Sequence, residues 1–278
     1  MSPISLPLLI EPDDLEPCLG HPNLLLVDLC RPEQYAAAHI PGAIYLPFTQ
    51  LMSGHMPGPG KLPSTNALSQ LFSALGLTPD THVVAYDDEG GGWAGRLIWT
   101  LDMLGHPHYS YLNGGLHAWA QAQKPLEEGV NVPIPSTYQV QLHNGPSITK
   151  DEILQRLELP NFVVWDARSP EEYLGLRQGA AKNGHIPGAV NYEWVRAMDR
   201  HNGLRIRDHN AIRQELAALG ITADKHIVTH CQSHHRSGFT YLLGKILGFE
   251  QIQAYPGSWS EWGNDPDTPV ETGAPEGP

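Results

Sequence analysis

Two tandem α/β domains, each a short parallel sheet flanked by helices, are predicted by three features of the 278-residue sequence. The first is an internal repeat. LLLVDLCRPEQY (24–35) returns as FVVWDARSPEEY (162–173), which aligns Asp28, Pro32, Glu33 and Tyr35 with Asp166, Pro170, Glu171 and Tyr173. HIPGA then occurs at 39–43 and at 185–189, after an insertion in the second copy. The second feature is a set of short, β-branched apolar runs, the pattern of strands buried on both faces of a parallel sheet. The third is length, since domains cluster at roughly 100 to 150 residues and longer chains divide.

In chain order, NLLLVD (23–28) and HVVAYD (82–87) predict strands in the first copy, and NFVVWD (161–166) and HIVTHC (226–231) their counterparts in the second. NALSQLFSALG (66–76) and NAIRQELAALG (210–220) predict helices, each closed by a glycine suited to a left-handed C-cap. SGFTYLLGKILG (237–248) predicts another, with Ser237 as N-cap and Gly248 as stop. Residues 124–147 are rich in Pro and Gly without sustained periodicity and read as an extended linker. The domains are therefore expected at 1–123 and 148–278, with a loosely held tail after Trp262.

Composition narrows the function. The balance of 17 Lys+Arg against 30 Asp+Glu, a net charge near -13, repels phosphate backbones and anionic lipid, so neither nucleic acid nor membrane is expected as a partner. No long apolar run suits a membrane span, and the opening MSPISLPLLIEPDDLE lacks the basic region of a secretory signal. Three cysteines, Cys18, Cys30 and Cys231, offer no disulfide framework and suit a reducing compartment, so the cytoplasm is the expected location. Cys18 and Cys30 have no histidine or anion cradle beside them and read as structural.

The chemistry concentrates in HCQSHHRSG (230–238). Cys231 ends a strand and precedes a loop that feeds a helix N-terminus, where ligands bind in open parallel sheets. Backbone N–H groups and the helix dipole there would lower the thiol pKa and cradle an anion. Arg236 is placed to neutralise an incoming dianion, His234 and His235 to add donors, and Gln232 and Ser233 to complete the loop. The corresponding position in the first copy is Asp87, which cannot act as a sulfur nucleophile. Other readings stay open. HCxxHH offers metal ligands at close spacing, though no second ligand pair accompanies it. A cysteine-dependent phosphatase would need five residues between Cys and Arg, and here there are four, residues 232–235. His39 and His185 read as turn-fixing residues, and Asp166 with Arg168 as a structural ion pair.

YAAAHIPGAIYL (35–46) and YPGSWSEW (255–262) resemble the two hallmarks of tandem-domain rhodaneses, thiosulfate sulfurtransferases, and the likeness covers residues from about 20 to 263. The loop itself is similar to that of a bacterial variant with paired histidines and an arginine. The resemblance implies an inactive first domain and a catalytic second one, with Cys231 taking the outer sulfur of thiosulfate, a small anionic donor, as a persulfide. Cyanide or a cellular thiol would be the thiophilic acceptor, with no cofactor. It further implies Ser258 near the cysteine and Trp194 on the pocket wall. Ser233 and Glu172 stand where family members often carry basic residues. The mercaptopyruvate branch stays an alternative, disfavoured because its Cys-Gly-Ser-Gly loop is absent and its first-domain histidine is matched by Gly60. An idle docking pair or a sulfur carrier remains a further alternative. A monomer is expected, because the duplication already supplies a pair of domains.

Overall fold

The computed structural model describes residues 4–274. The first copy contains β1 (Leu9–Ile10), α1 (Pro12–Leu15), β2 (Leu24–Asp28), α2 (Pro32–Ala37), β3 (Ile44–Tyr45), α3 (Thr65–Ala74), β4 (His82–Tyr86), α4 (Gly92–Met103), β5 (Tyr109–Leu112) and α5 (Gly115–Gln121). Its sheet runs β1-β5-β4-β2-β3, parallel at every pair. The second copy contains α6 (Lys150–Leu154), β6 (Phe162–Asp166), α7 (Pro170–Tyr173), β7 (Val190–Asn191), β8 (Met198–Asp199), β9 (Arg205–Ile206), α8 (His209–Ala218), β10 (His226–His230), α9 (Arg236–Ile246), β11 (Ile252–Ala254) and α10 (Ser258–Trp262). Its sheet runs β11-β10-β6-β7, also parallel, while β8 and β9 form an antiparallel hairpin. The counterpart of β1 shrinks to a parallel bridge between Ser147 and Ala254.

The predicted strands and helices fall where their chemistry puts them. β4 and β10 are central strands, so their apolar residues are buried from both sides. Ser64 and Asp208 cap α3 and α8 by accepting from the amides of Ala67 and Ala211. Gly76 and Gly220 follow those helices with φ of +83° and +80°, a conformation that costs glycine little. The HIPGA histidines do the same work twice. His39 Nδ1 lies 2.7 Å from the Tyr35 carbonyl and His185 Nδ1 2.8 Å from that of Tyr173, each imidazole stacked on the tyrosine ring.

The chain forms two compact units. One runs through Leu51 and then takes in Pro63–His143 and Met198–Ile206; the other takes in Met52–Leu62, Asn144–Ala197 and the chain from Arg207 onward. The first is packed around Leu26, Val84, Tyr86, Leu112 and Trp119, the second around Val164, Val228, Tyr255, Trp259 and Trp262. Residues 124–147, expected as a linker, contain no helix or strand, yet much of the stretch is bound to the first unit. Glu127 and His39 exchange backbone hydrogen bonds, and the Ser136 and His143 amides donate to Ser73 and Met103. The tail expected to be loose is tied down as far as Gly273, whose amide donates to the Leu174 carbonyl. Trp262 Nε1 donates to Pro269, Lys182 Nζ reaches Thr268, and Glu271 pairs with His185 along the backbone. Residues 275–278 of that tail lie outside the described residues.

Candidate active site

Cys231 stands at the C-terminal end of β10, between the neighbouring ends of β6 and β11. The strand end is held on both sides, by the Ala167 amide on the His230 carbonyl and the Tyr255 amide on the Thr229 carbonyl. Beyond it the loop turns under α10. The amides of Trp259 and Ser260 donate to the carbonyls of Cys231 and Gln232, both at 2.9 Å. Ser258, buried and left-handed with φ +51°, accepts from the Cys231 amide at 3.4 Å and donates to the Tyr255 carbonyl at 2.9 Å. The resemblance placed Ser258 near the cysteine, and it supports the cysteine's backbone.

Cys231 is 1% exposed, but the surroundings of its sulfur are polar. Ser237 Oγ donates to Cys231 Sγ at 3.4 Å. Burial by itself pushes the thiol up; the Arg236 charge, the Ser237 hydroxyl and amide, and His235 outweigh it, so the thiol is held below its ordinary value. Cys30 supplies the contrast. Equally buried, it lies beside Asp28, and burial together with that carboxylate drives its thiol far upward. Cys18 is half-buried and its thiol donates to the Asp14 carbonyl.

Arg236 begins α9 and forks onto Glu172, with Nη1 to Oε2 at 2.5 Å and Nη2 to Oε1 at 2.9 Å. Its charge is therefore shared between the cysteine and a carboxylate, a pairing that loop composition did not foretell. Asp166 and Arg168 form a second buried pair, with Arg168 also stacked 4.4 Å over Trp259. Gln232 reaches the Gly179 carbonyl and Ser260 Oγ and so anchors the loop. The Ser233 carbonyl packs against Gly60, where an added Cβ would come within 2.2 Å of it. His235 meets Trp194 edge-on at 5.5 Å, which puts both half-buried rings beside the loop.

Two expectations need correction. His234 does not face outward as a donor to an approaching anion; it is fully buried, with Nδ1 2.8 Å from Ser237 Oγ. Ser237 is not the N-cap of α9. That position is His235, without a side-chain cap, since the helix already begins at Arg236, and the Ser237 hydroxyl is turned toward sulfur. The visible sign was only a serine directly after the loop arginine.

The first copy has an answering cradle, and its own carboxylate fills it. Asp87 Oδ1 accepts from the amides of Glu89, Gly90 and Gly91, and Oδ2 from that of Ala94, at 2.8 to 3.1 Å. Burial and then Glu89 push this carboxyl up to about 6 against the pull of the amides. Among the described residues no group of three His, Cys, Asp or Glu side chains is placed to hold a metal ion. A cavity of about 440 Å³ lies beside Tyr255, Pro256 and Gly257 and is not lined by residues 231–236, and its two lysines are paired, Lys61 with Glu261 and Lys150 with Asp265.

A thiosulfate sulfurtransferase of Pseudomonas aeruginosa is 52% identical over 266 residues, covering 96% of this chain and 97% of that protein. One of Azotobacter vinelandii is 52% identical over 267 residues, covering 96% and 98%. A sulfur carrier protein of Thermus thermophilus is 33% identical over 208 residues, covering 70% and 72%. Among solved structures, an anaerobic ergothioneine biosynthesis enzyme of Chlorobium limicola superposes with a TM-score of 0.83 at 23% identity, covering 91% of this chain; the chain spans 65% of that longer protein, and the likeness establishes the fold alone. The rhodanese-like domain matches twice, at residues 11–122 and 149–265, and the chain belongs to that family.

Proposed function

We propose that the protein is a thiosulfate sulfurtransferase that carries sulfane sulfur as a persulfide on Cys231 and delivers it to cyanide or a cellular thiol. The observation that carries this reading is a buried thiol held below its ordinary value by a neighbouring guanidinium and a hydroxyl. The full-length likeness to two thiosulfate sulfurtransferases names the donor. In the first half-reaction the Cys231 thiolate attacks the outer sulfur of thiosulfate. The sulfur–sulfur bond of the donor breaks, and sulfite leaves with the electron pair. In the second, the acceptor attacks the outer persulfide sulfur and Cys231 recovers its pair as thiolate. Arg236 and His235 stabilise the anionic species electrostatically, and Gln232, Ser233 and Ser258 hold the loop in shape. Trp194 braces His235.

Mercaptopyruvate fits less well, because Gly60 leaves no room for a side chain against Ser233 and Pro256. A carrier that hands sulfur to a partner protein is the second reading, favoured by the Thermus relative. The setting we propose is a monomer in the cytoplasm. Among the described residues no helix is long and apolar enough to cross a membrane.

Incubation with thiosulfate should add the mass of a sulfur atom to Cys231, and cyanide should remove it as thiocyanate. A side-by-side comparison with mercaptopyruvate ranks the donors. Failure of both to load the cysteine contradicts the enzyme reading, and loading without turnover to small acceptors favours the carrier.

A further inference from the structure

We propose that Ser237 is a catalytic residue of this sulfur transfer and that His234 is its positioning residue, through the chain His234 Nδ1–H to Ser237 Oγ–H to Cys231 Sγ. The inference rests on the Cys231 persulfide reading above. All three residues are buried, with 2.8 Å between Nδ1 and Oγ and 3.4 Å between Oγ and Sγ. A serine hydroxyl has a single proton to donate and can accept in return. With Nδ1 unprotonated, Ser237 would donate to the imidazole and turn an oxygen lone pair toward a thiolate. With Nδ1 protonated, the hydroxyl accepts from His234, and its proton is directed to sulfur.

The backbone supplies an independent sign. His234 has φ +56°, a left-handed conformation uncommon for a non-glycine residue. Glycine would make this turn without the steric cost. Strain of this kind clusters where a side chain has work to do. Here it places the imidazole under the loop within reach of Ser237.

The contribution of the hydroxyl is unequal in the two half-reactions. During loading, Sγ gives up its charge as its bond to the incoming sulfur forms and sulfite departs. During discharge the bond between the outer sulfur and Sγ breaks, and the electron pair returns to Sγ. A donor aimed at Sγ therefore assists discharge directly, whereas in loading it raises the thiolate fraction but dampens the nucleophile. No proton leaves Ser237 in either step.

The test uses persulfide-loaded full-length protein in single-turnover discharge by cyanide, together with the pH dependence of Cys231 alkylation. Ser237→Ala should slow discharge roughly tenfold and move the alkylation profile up by about one pH unit, as expected for loss of a hydrogen bond to a charged group. Ser237→Thr should stay close to the parent. His234→Ala should shift both readouts in the same direction, and His234→Asn, which keeps an N–H donor, should recover most of the loss. The imidazole nitrogen shifts of isotope-labelled parent protein should show His234 protonated at Nδ1, a readout that needs no variant to fold. Normal loading with unchanged discharge and alkylation in Ser237→Ala, or an unprotonated Nδ1 in the parent, overturns the proposal while leaving the persulfide intact. Failure of the parent to load sulfur overturns the persulfide reading and this proposal with it.

Discussion

At Arg236 a single guanidinium serves two carboxyl-range and thiol-range neighbours at once, and its removal should be felt twice. Arg236→Ala should lower kcat/KM for thiosulfate by about ten- to a hundredfold, the scale of a lost charge-assisted hydrogen bond. It should also strand the buried Glu172, at a stability cost of about 3 kcal/mol, typical of breaking a buried pair from one side. Adding Glu172→Gln should restore the melting temperature without restoring kcat/KM. Recovery of both together would make Arg236 a structural residue only. A second residue-scale prediction concerns His230, lowered to about 4 by burial despite the neighbouring Asp166. The unfolded chain takes up a proton near 6.5 that the folded chain refuses until about 4, so stability should fall as pH falls across that window. The full loss is about 3 kcal/mol. Urea midpoints measured across the window should slope accordingly, and His230→Gln should flatten part of that slope; a profile level in both proteins would contradict the assignment.

At the scale of elements, the strand-to-helix loops of the two copies share one design and hold different anions. After β10 the loop surrounds a thiol, and after β4 the corresponding loop closes on the Asp87 carboxylate. Asp87→Ala should leave several buried amides without an acceptor, costing about 1 to 3 kcal/mol for each that water does not reach. Sulfur loading at Cys231 should persist in that variant, measured by intact mass, provided the chain folds. Gly60 tests the wall of the Cys231 loop. Its added Cβ would meet the backbone carbonyls of Ser233 and Pro256 at 2.2 and 2.6 Å, atoms that cannot swing aside. Gly60→Ala should therefore lower both turnover and melting temperature, whereas Gly145→Ala, with open space around it, should leave both unchanged.

Across the whole molecule the duplication should yield a single sulfur per chain. Cys30 is sealed among apolar neighbours with its thiol pushed upward, and the first cradle already holds its own anion. Mass analysis after thiosulfate should show one added sulfur, absent in Cys231→Ser and retained in Cys18→Ser and Cys30→Ser. Much of this plan was legible in the residues. The repeat, the strand runs and the closing glycines are local patterns set by backbone preference and burial, and the hallmark segments, through their resemblance to the family, point to Cys231 as the proposed nucleophile. Less legible were the partners that lie far away in sequence. Glu172 and Arg236 meet only because α7 and α9 pack near the same strand ends, and the tail as far as Glu271 is secured by Lys182 and His185, which its own polar composition does not disclose.

The sequence by itself determined the two α/β units and the asymmetry between Cys231 and Asp87, because both are written in local periodicity and residue type, while the chemical class of the site came from the resemblance carried by the hallmark segments. Tertiary structure alone decided where Arg236, His234 and Ser237 direct their polar atoms. Hydrogen-bond direction depends on distances and rotamers fixed by packing, and loop spacing carries no record of either.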